Sequence, residues 1–244
     1  MFDKNQNVLV VSGHAADYVW RAGGTIAKYI KHGAQVKVVV LSLGVRGESN
    51  DLWDQPVQTY ESVAAIRKAE SQEAAACLGV TDIEFWDYQD YYMDLDDEQK
   101  INRLATLIRS FKPYHIITHG ELDLLNPDHD AVNKFVFKAS VLAISNGVQI
   151  EGTETSKQTR IFGFEPHQTE ISNFKPELII DITETMEMKK EAMNCFKAQS
   201  HLIEYYTVRA FTRGNHARRL SGSKQYKFAE TFTRRFPYVG EWLV

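Results

Sequence analysis

Two cysteines in 244 residues, Cys77 and Cys195, are too few for a disulfide framework, and neither sits in a CxxC pair of the kind that builds structural zinc sites. Six prolines and fourteen glycines exclude a collagen-like or low-complexity chain. Long apolar runs are also missing. The first, Val8 to Val11, is far short of a membrane span or signal-peptide core, and Asp3 stands where a signal would carry basic residues. These absences point to a cytoplasmic protein in a reducing compartment, with no membrane partner. Positive charge is not in surplus: 28 Lys and Arg face 32 Asp and Glu, a formal net charge of -4, which argues against sequence-independent nucleic-acid binding. There is no GxGxxG after the first apolar run, no Walker loop and no GxSxG elbow, so dinucleotide, nucleotide and serine-hydrolase templates find no support.

What is present is an alternation. Apolar, β-branched runs at Val8 to Val11, Val36 to Leu41, Ile83 to Trp86, His115 to Thr118, Ile161 to Phe164 and Leu178 to Ile182 suggest buried parallel strands. Helical spacing fills the intervals. Val19 to His32 carries Ile26 and Ile30 and stops at Gly33, Tyr60 to Leu78 stops at Gly79, and Ile101, Leu104, Ile108 and Phe111 share a face. The expected fold is a Rossmann-like α/β three-layer sandwich with a mostly parallel sheet, one domain over 1–244. Asn146 to Thr159 reads as a loop or flap, and Glu184 to His201 and Leu202 to Leu220 as two C-terminal helices packed on the domain. A core of this size needs no metal staple, so a metal would suggest chemistry.

In an open parallel sheet, ligands sit beyond the carboxyl ends of the strands. Those positions are rich in polar residues here: His14 and Asp17, then Arg46 and Glu48, Asp87 and Asp90, His119, Asp123, Asp128 and His129, and finally Glu165 and His167. His14, Asp17 and His129 would serve as the three ligands of a catalytic zinc, although each alone could be a helix-capping residue, and spacing does not distinguish zinc from iron or manganese. His119 and Asp123 are candidates to orient His129. Arg21 and Arg46 could pair with substrate carboxylates. From Arg209 to Arg235, eight Lys or Arg accompany a single acid, Glu230, against 20 basic and 31 acidic residues elsewhere. Most of that stretch reads as a solvated face or subunit contact, with Arg209 and Arg213 the candidates to reach substrate. Trp86, Tyr88, Tyr91 and Tyr92 could be rim packing or a sugar-stacking strip.

The motif His14, Ala15, Ala16, Asp17 with Gly23 and Gly24, followed later by Asn126, Pro127, Asp128, His129, resembles the PIG-L or LmbE-like superfamily of zinc-dependent N-deacetylases. The resemblance implies that His14, Asp17 and His129 bind the metal, Zn2+ or another divalent ion. Two departures accompany it. The position of the deacetylases' general base is Ala16, which cannot accept a proton, and the first histidine of their later motif is Asn126. The chain is similar in these departures to the 4-oxalomesaconate hydratase branch, through His14 to Gly24, Arg46 to Ser49, Asn126 to His129, Phe164 to Gln168 and Glu204 to Tyr206.

That branch implies hydration of an unsaturated oxo-tricarboxylate in aromatic catabolism, giving 4-carboxy-4-hydroxy-2-oxoadipate. Glu48 would activate water and His167 deliver a proton, with Arg21, Arg46, Asn126, Arg209 and Arg213 binding a small anionic substrate. Two alternatives stay open: a deacetylase acting on an N-acetyl sugar or related amide, and a silent binding protein that keeps a metal to hold its ligand. A homo-oligomer is expected.

Overall fold

A computed structural model of the chain describes residues 6–150 and 154–241. Seven strands form one sheet: β1 (Asn7–Ser12), β2 (Gln35–Ser42), β3 (Asp82–Tyr88), β4 (His115–Thr118), β5 (Arg160–Phe164), β6 (Leu178–Asp181) and β7 (Ala229–Arg234). Their order is β3-β2-β1-β4-β5-β7-β6. The first five are parallel, with Val8 opposite both Val36 and His115. The helices are α1 (Asp17–Lys31), the single-turn α2 (Asn50–Trp53), α3 (Tyr60–Cys77), α4 (Glu98–Phe111), α5 (Pro127–Ile144), α6 (Met186–Cys195) and α7 (Leu202–Ser221). No described helix is long and apolar enough to cross a membrane.

The period-two alternation of strand side chains builds two cores. In β1, Val8 and Val10 face a layer with α1, α3, α6 and α7, whereas Leu9 and Val11 face Leu104 and Ile108 of α4 and Val132 and Val136 of α5. Both faces are covered, which is why β1 has no polar alternation. Strand order reverses between β1 and β4, so their carboxyl ends diverge and open the crevice in which such sheets bind ligands.

Two sequence expectations are corrected, and a third holds in its described part. The sheet has a seventh strand, β7, antiparallel to both β5 and β6 and lying between them, so Leu178 to Ile182 does not extend a parallel ladder. The helix expected over Glu184 to His201 ends at Cys195, where Phe196 leaves helical geometry, and a 3-10 turn over Lys197–Gln199 follows. The Asn146 to Thr159 segment is free of helix and strand in its described part, and residues 151–153 of it lie outside the described residues. Gly33 is left-handed, as expected at the end of α1, with φ +91. Cys77 and Cys195 are free thiols, 3.9 Å apart.

A buried ion pair is threaded along α1. Lys189 Nζ, 2.6 Å from Glu230 Oε1, donates to the Trp20 carbonyl, while Glu230 accepts the mid-helix amides of Gly24 and Thr25. Gly24 lets α1 press against Ile182; a Cβ there would lie 2.6 Å from Ile182 Cδ1. Glu230 thus ties β7 to the helix that carries Asp17 and Arg21. Changing Glu230 to Gln leaves the Lys189 ammonium buried without its counter-charge, and urea unfolding should show a loss of about 3–5 kcal/mol. A Lys189→Met/Glu230→Gln double variant should recover much of it, and an unchanged midpoint in the single variant would contradict this role.

Candidate metal centre and cavity

Four loops at the carboxyl ends of β1, β2, β4 and β5 converge beside the β1/β4 crevice. His14 and Asp17 come from the β1–α1 turn, Glu48 from the loop after β2, and His119, Asp123, Asp128 and His129 from the β4–α5 connection. Asn126 caps α5 by accepting the Asp128 amide, with Pro127 as the first helical residue, and this fixes where His129 begins its turn.

Each candidate histidine ligand is turned by a carboxylate on its far nitrogen. Asp123 Oδ2 lies 2.9 Å from His129 Nδ1, and Asp128 Oδ2 lies 3.1 Å from His14 Nε2. The inner nitrogens, His14 Nδ1 and His129 Nε2, are then 3.2 Å apart. Asp17 Oδ2 is 3.3 Å from both, and Glu48 Oε1 is 3.3 Å from His14 and 4.0 Å from His129. Two imidazole nitrogens and two carboxylate oxygens, all within 4.8 Å of one another and shielded from solvent, fit a divalent cation of the zinc type. Carboxylates behind both imidazoles are the usual means of fixing ligand tautomers.

The electrostatics agree with that fit. Burial opposes charge on His14, yet Glu48, Asp128 and Asp17 together raise its imidazole well above the ordinary range. Burial likewise opposes ionisation of Asp17, but His129 and His119 hold it well below the usual carboxylate range. Burial pushes the Glu48 carboxyl up, and His14 outweighs that, so Glu48 remains ionised. The cluster attracts positive charge into its centre. His119 is a different case. It accepts the Gly13 amide on Nε2, stacks on His129 with centroids 4.0 Å apart, and is pushed down to about 3 by burial and then by His129, which keeps it neutral.

A cavity of about 450 Å³ opens onto the cluster, and its lining includes Asp17, Arg21, Glu48, Asn126, His129 and His167. Six of the sequence candidates are therefore together, and His14 lies directly beneath, 1% exposed. Glu48 pairs with His14 rather than with Arg46, and its second oxygen is 3.9 Å from buried Arg67. The remaining three cationic candidates do not line the cavity. Arg46 stacks on Tyr60 and Tyr92, and its loop is clamped by Asp90, which accepts the Arg46 and Gly47 amides. Arg213 grips both oxygens of Glu165, and Arg209 donates to the carbonyls of Pro166 and His167. Both arginines thus shape the loop that presents His167. Arg21 lines the cavity, but its guanidinium is also bound by Asp123, at 3.1 Å, and the Glu165 carbonyl. His167 sits 3.2 Å from the Tyr206 hydroxyl, and burial, then Arg21 and Arg209, push it down to about 4.

Sequence reading did not pick out Gln199 or Arg67 as site residues, and it left Tyr91 between rim packing and sugar stacking. Tyr91 lines the cavity at left-handed φ +66, its amide donating to the Asp128 carboxylate that also orients His14. A left-handed non-glycine residue beside a cluster is a site signal that the sequence does not carry.

The GlcNAc-PI de-N-acetylase (PIG-L) family model matches residues 9–140. A 4-oxalmesaconate hydratase of Pseudomonas putida is 36% identical over 239 residues, 97% of this chain and 92% of that protein. A probable N-acetyl-alpha-D-glucosaminyl L-malate deacetylase of Bacillus anthracis is 29% identical over 56% of this chain and 60% of that protein. Among solved structures, the 4-carboxy-2-hydroxymuconate hydratase of Pseudomonas putida superposes with TM-score 0.93 at 37% identity, covering 98% of this chain and 100% of that one. The N,N'-diacetylchitobiose deacetylase of Pyrococcus horikoshii shares the fold, with TM-score 0.78 at 21% identity, covering 94% and 83%.

Asp123 holds His129 without belonging to the inner donor set. Its replacement by Ala should weaken zinc affinity about tenfold to a hundredfold, read by competition with a chromophoric chelator. Wild-type affinity would show that Arg21 and packing alone orient the imidazole.

Proposed function

The chain belongs to the GlcNAc-PI de-N-acetylase (PIG-L) family, and within it we propose that the protein is a metal-dependent hydratase that adds water to 4-oxalomesaconate or a close unsaturated oxo-tricarboxylate. The observation that carries this reading is Ala16. It is fully buried in the position where the deacetylase motif has its proton acceptor, while Glu48 brings a carboxylate to the cluster from the next loop. Amide hydrolysis without a base at Ala16 is disfavoured; hydration needs a base aimed elsewhere. The full-length similarity to the Pseudomonas putida hydratase supports the same choice.

The residues that would hold the cation are His14, Asp17 and His129, with Glu48 in reach, and the bound ion would supply Lewis-acid polarisation of a substrate oxygen. Glu48, ionised at neutral pH, takes a proton from water, and the water oxygen bonds to one alkene carbon. His167 gives a proton to the other carbon. Its pKa of about 4 leaves it neutral in the free protein, and the negative charge of a bound polyanion raises the protonated fraction. Arg209 fixes the carbonyl of His167 and Tyr206 meets its Nδ1, so the ring presents a defined edge to the cavity. Arg21 and Asn126 face the substrate. The cytoplasm, aromatic catabolism and zinc as the native metal belong to this reading.

The decisive assay is the loss of 4-oxalomesaconate absorbance with zinc-loaded protein and a chelated control. Chelator-sensitive turnover is expected; bound metal without turnover sinks the hydratase reading and turns attention to acetate release. Glu48→Gln should lower kcat at least about a hundredfold. Metal content measured on the same sample separates the two functions open to Glu48: retained zinc fits a base, lost zinc a ligand, and near-normal turnover removes it from both. Because kcat/KM reports the free enzyme and kcat the complex, the alkaline limb of kcat should lie at higher pH than that of kcat/KM. His167→Gln should abolish that separation, and identical limbs in the wild type would count against His167 as the proton donor.

A further inference from the structure

Arg67 is completely buried, and it is the bulkiest fully buried side chain among the described residues. Each of its three nitrogens donates to an oxygen: Nε to the Leu43 carbonyl, Nη1 to Glu70 Oε2 at 3.0 Å, and Nη2 to Gln199 Oε1 at 2.9 Å. The Phe196 ring lies 5.3 Å from the guanidinium carbon. Glu70 also accepts the amides of Lys197 and Ala198, so the pair docks the 3-10 turn over Lys197–Gln199 onto α3.

This settles the orientation of one amide. Arginine has donors only, so the oxygen of Gln199 must face it and the amide nitrogen must point away. Gln199 is 8% exposed and lines the cavity, and its side-chain nitrogen has no protein partner among the described residues. Asn126 repeats the arrangement on the opposite loop, with its oxygen taken by the Asp128 amide. The same Arg67 Nη2 lies 3.9 Å from Glu48 Oε2, so one guanidinium links Gln199 to the carboxylate already assigned to water activation, and both side chains line the same cavity.

The cavity otherwise carries Asp17, Glu48, Asp51 and Asp123, and Arg21 is partly neutralised by two of them. A multiply charged carboxylate substrate entering such a lining needs fixed donors that do not themselves pair with these acids. We propose that Gln199 is a specificity-determining residue that binds a substrate carboxylate beside Glu48, with Arg67 as the positioning residue that keeps its amide donor-first. The inference rests on the tricarboxylate reading of the site and names a contact that reading does not include. Glutamate at this position could still pair with Arg67, but it would turn an oxygen toward the substrate.

The test uses zinc-loaded full-length protein. Gln199→Glu and Gln199→Met should raise KM for 4-oxalomesaconate roughly tenfold to a hundredfold, the loss expected for a hydrogen bond to a charged group, with kcat and metal content much less affected. Calorimetric titration with tricarballylate and glutarate gives a second readout independent of turnover: the wild-type preference for the tricarboxylate should fall roughly tenfold in Gln199→Met. Arg67→Met should reproduce the KM change without adding to that of Gln199→Met. KM and preference both unchanged in the Gln199 variants overturns the proposal and leaves the hydratase reading intact. No turnover by the wild type, with a preference that still depends on Gln199, reverses the outcome: the carboxylate subsite stands and the hydratase reading falls. No turnover and no tricarballylate binding overturns both.

Discussion

Four carboxylates, Asp17, Glu48, Asp123 and Asp128, surround two buried imidazoles, and the architecture around the site depends on that excess of negative charge being balanced. Isolated buried charge is costly, so such a cluster persists only when hydrogen bonds and counter-charges meet it. Arg21 supplies one counter-charge, the His14 amide and the Tyr91 amide supply donors, and the centre is left for a cation. The elements contributing these groups are distant in sequence. They meet because parallel strands send all their carboxyl ends to one rim, and because α1 is held in register by the Lys189–Glu230 pair behind it.

The placement of arginine follows from the same economy of charge. Arg46, Arg209 and Arg213 are engaged by Asp90, Glu165 and backbone carbonyls, so they build the loops that carry Glu48 and His167. Of the four arginine candidates, Arg21 lines the cavity, together with the neutral amides of Asn126 and Gln199. Arg21 and Arg67 already stand 3.4 Å from Asp17 and 3.9 Å from Glu48, and the amides of Asn126 and Gln199 add donors to the cavity without adding charge.

Much of this was legible in the sequence, for identifiable reasons. Strands β1 to β5 appear as short apolar runs because both sheet faces are covered, and His14, Asp17 and His129 stand out by motif. Strand β7 was not legible: Glu230 interrupts its apolar pattern and Lys and Arg flank it, and the partners that explain a buried glutamate there, Lys189 and the Gly24 and Thr25 amides, are 41 or more residues away. The end of α6 was hidden because Phe196, an apolar residue, fits the helical pattern it terminates. Arg209 and Arg213 stand out as substrate candidates because they follow Tyr205 and Tyr206 on one helix, whereas their engagement by Glu165 and the carbonyls of Pro166 and His167 carries no signal in sequence. Gln199 carries no signal in sequence at all, since its importance derives from an arginine 132 residues away.

Fold similarity extends to a chitobiose deacetylase at 21% identity, so the scaffold supports more than one reaction, and the choice between them must lie in side chains. Ala16 removes a proton acceptor from the β1–α1 turn without disturbing that turn, because its carbonyl still accepts the Val19 and Trp20 amides that start α1. A methyl group suffices for the fold. Glu48, the base of the proposed reading, sits 3.3 Å from His14 on a loop whose position is set by Asp90 on one side and by Arg67 on the other. In the proposed reading, the base moves from a helix start to a neighbouring loop while His14, Asp17 and His129 stay in place as the candidate ligands. That is a physical route by which one metal cluster can serve acyl transfer in some relatives and hydration in others.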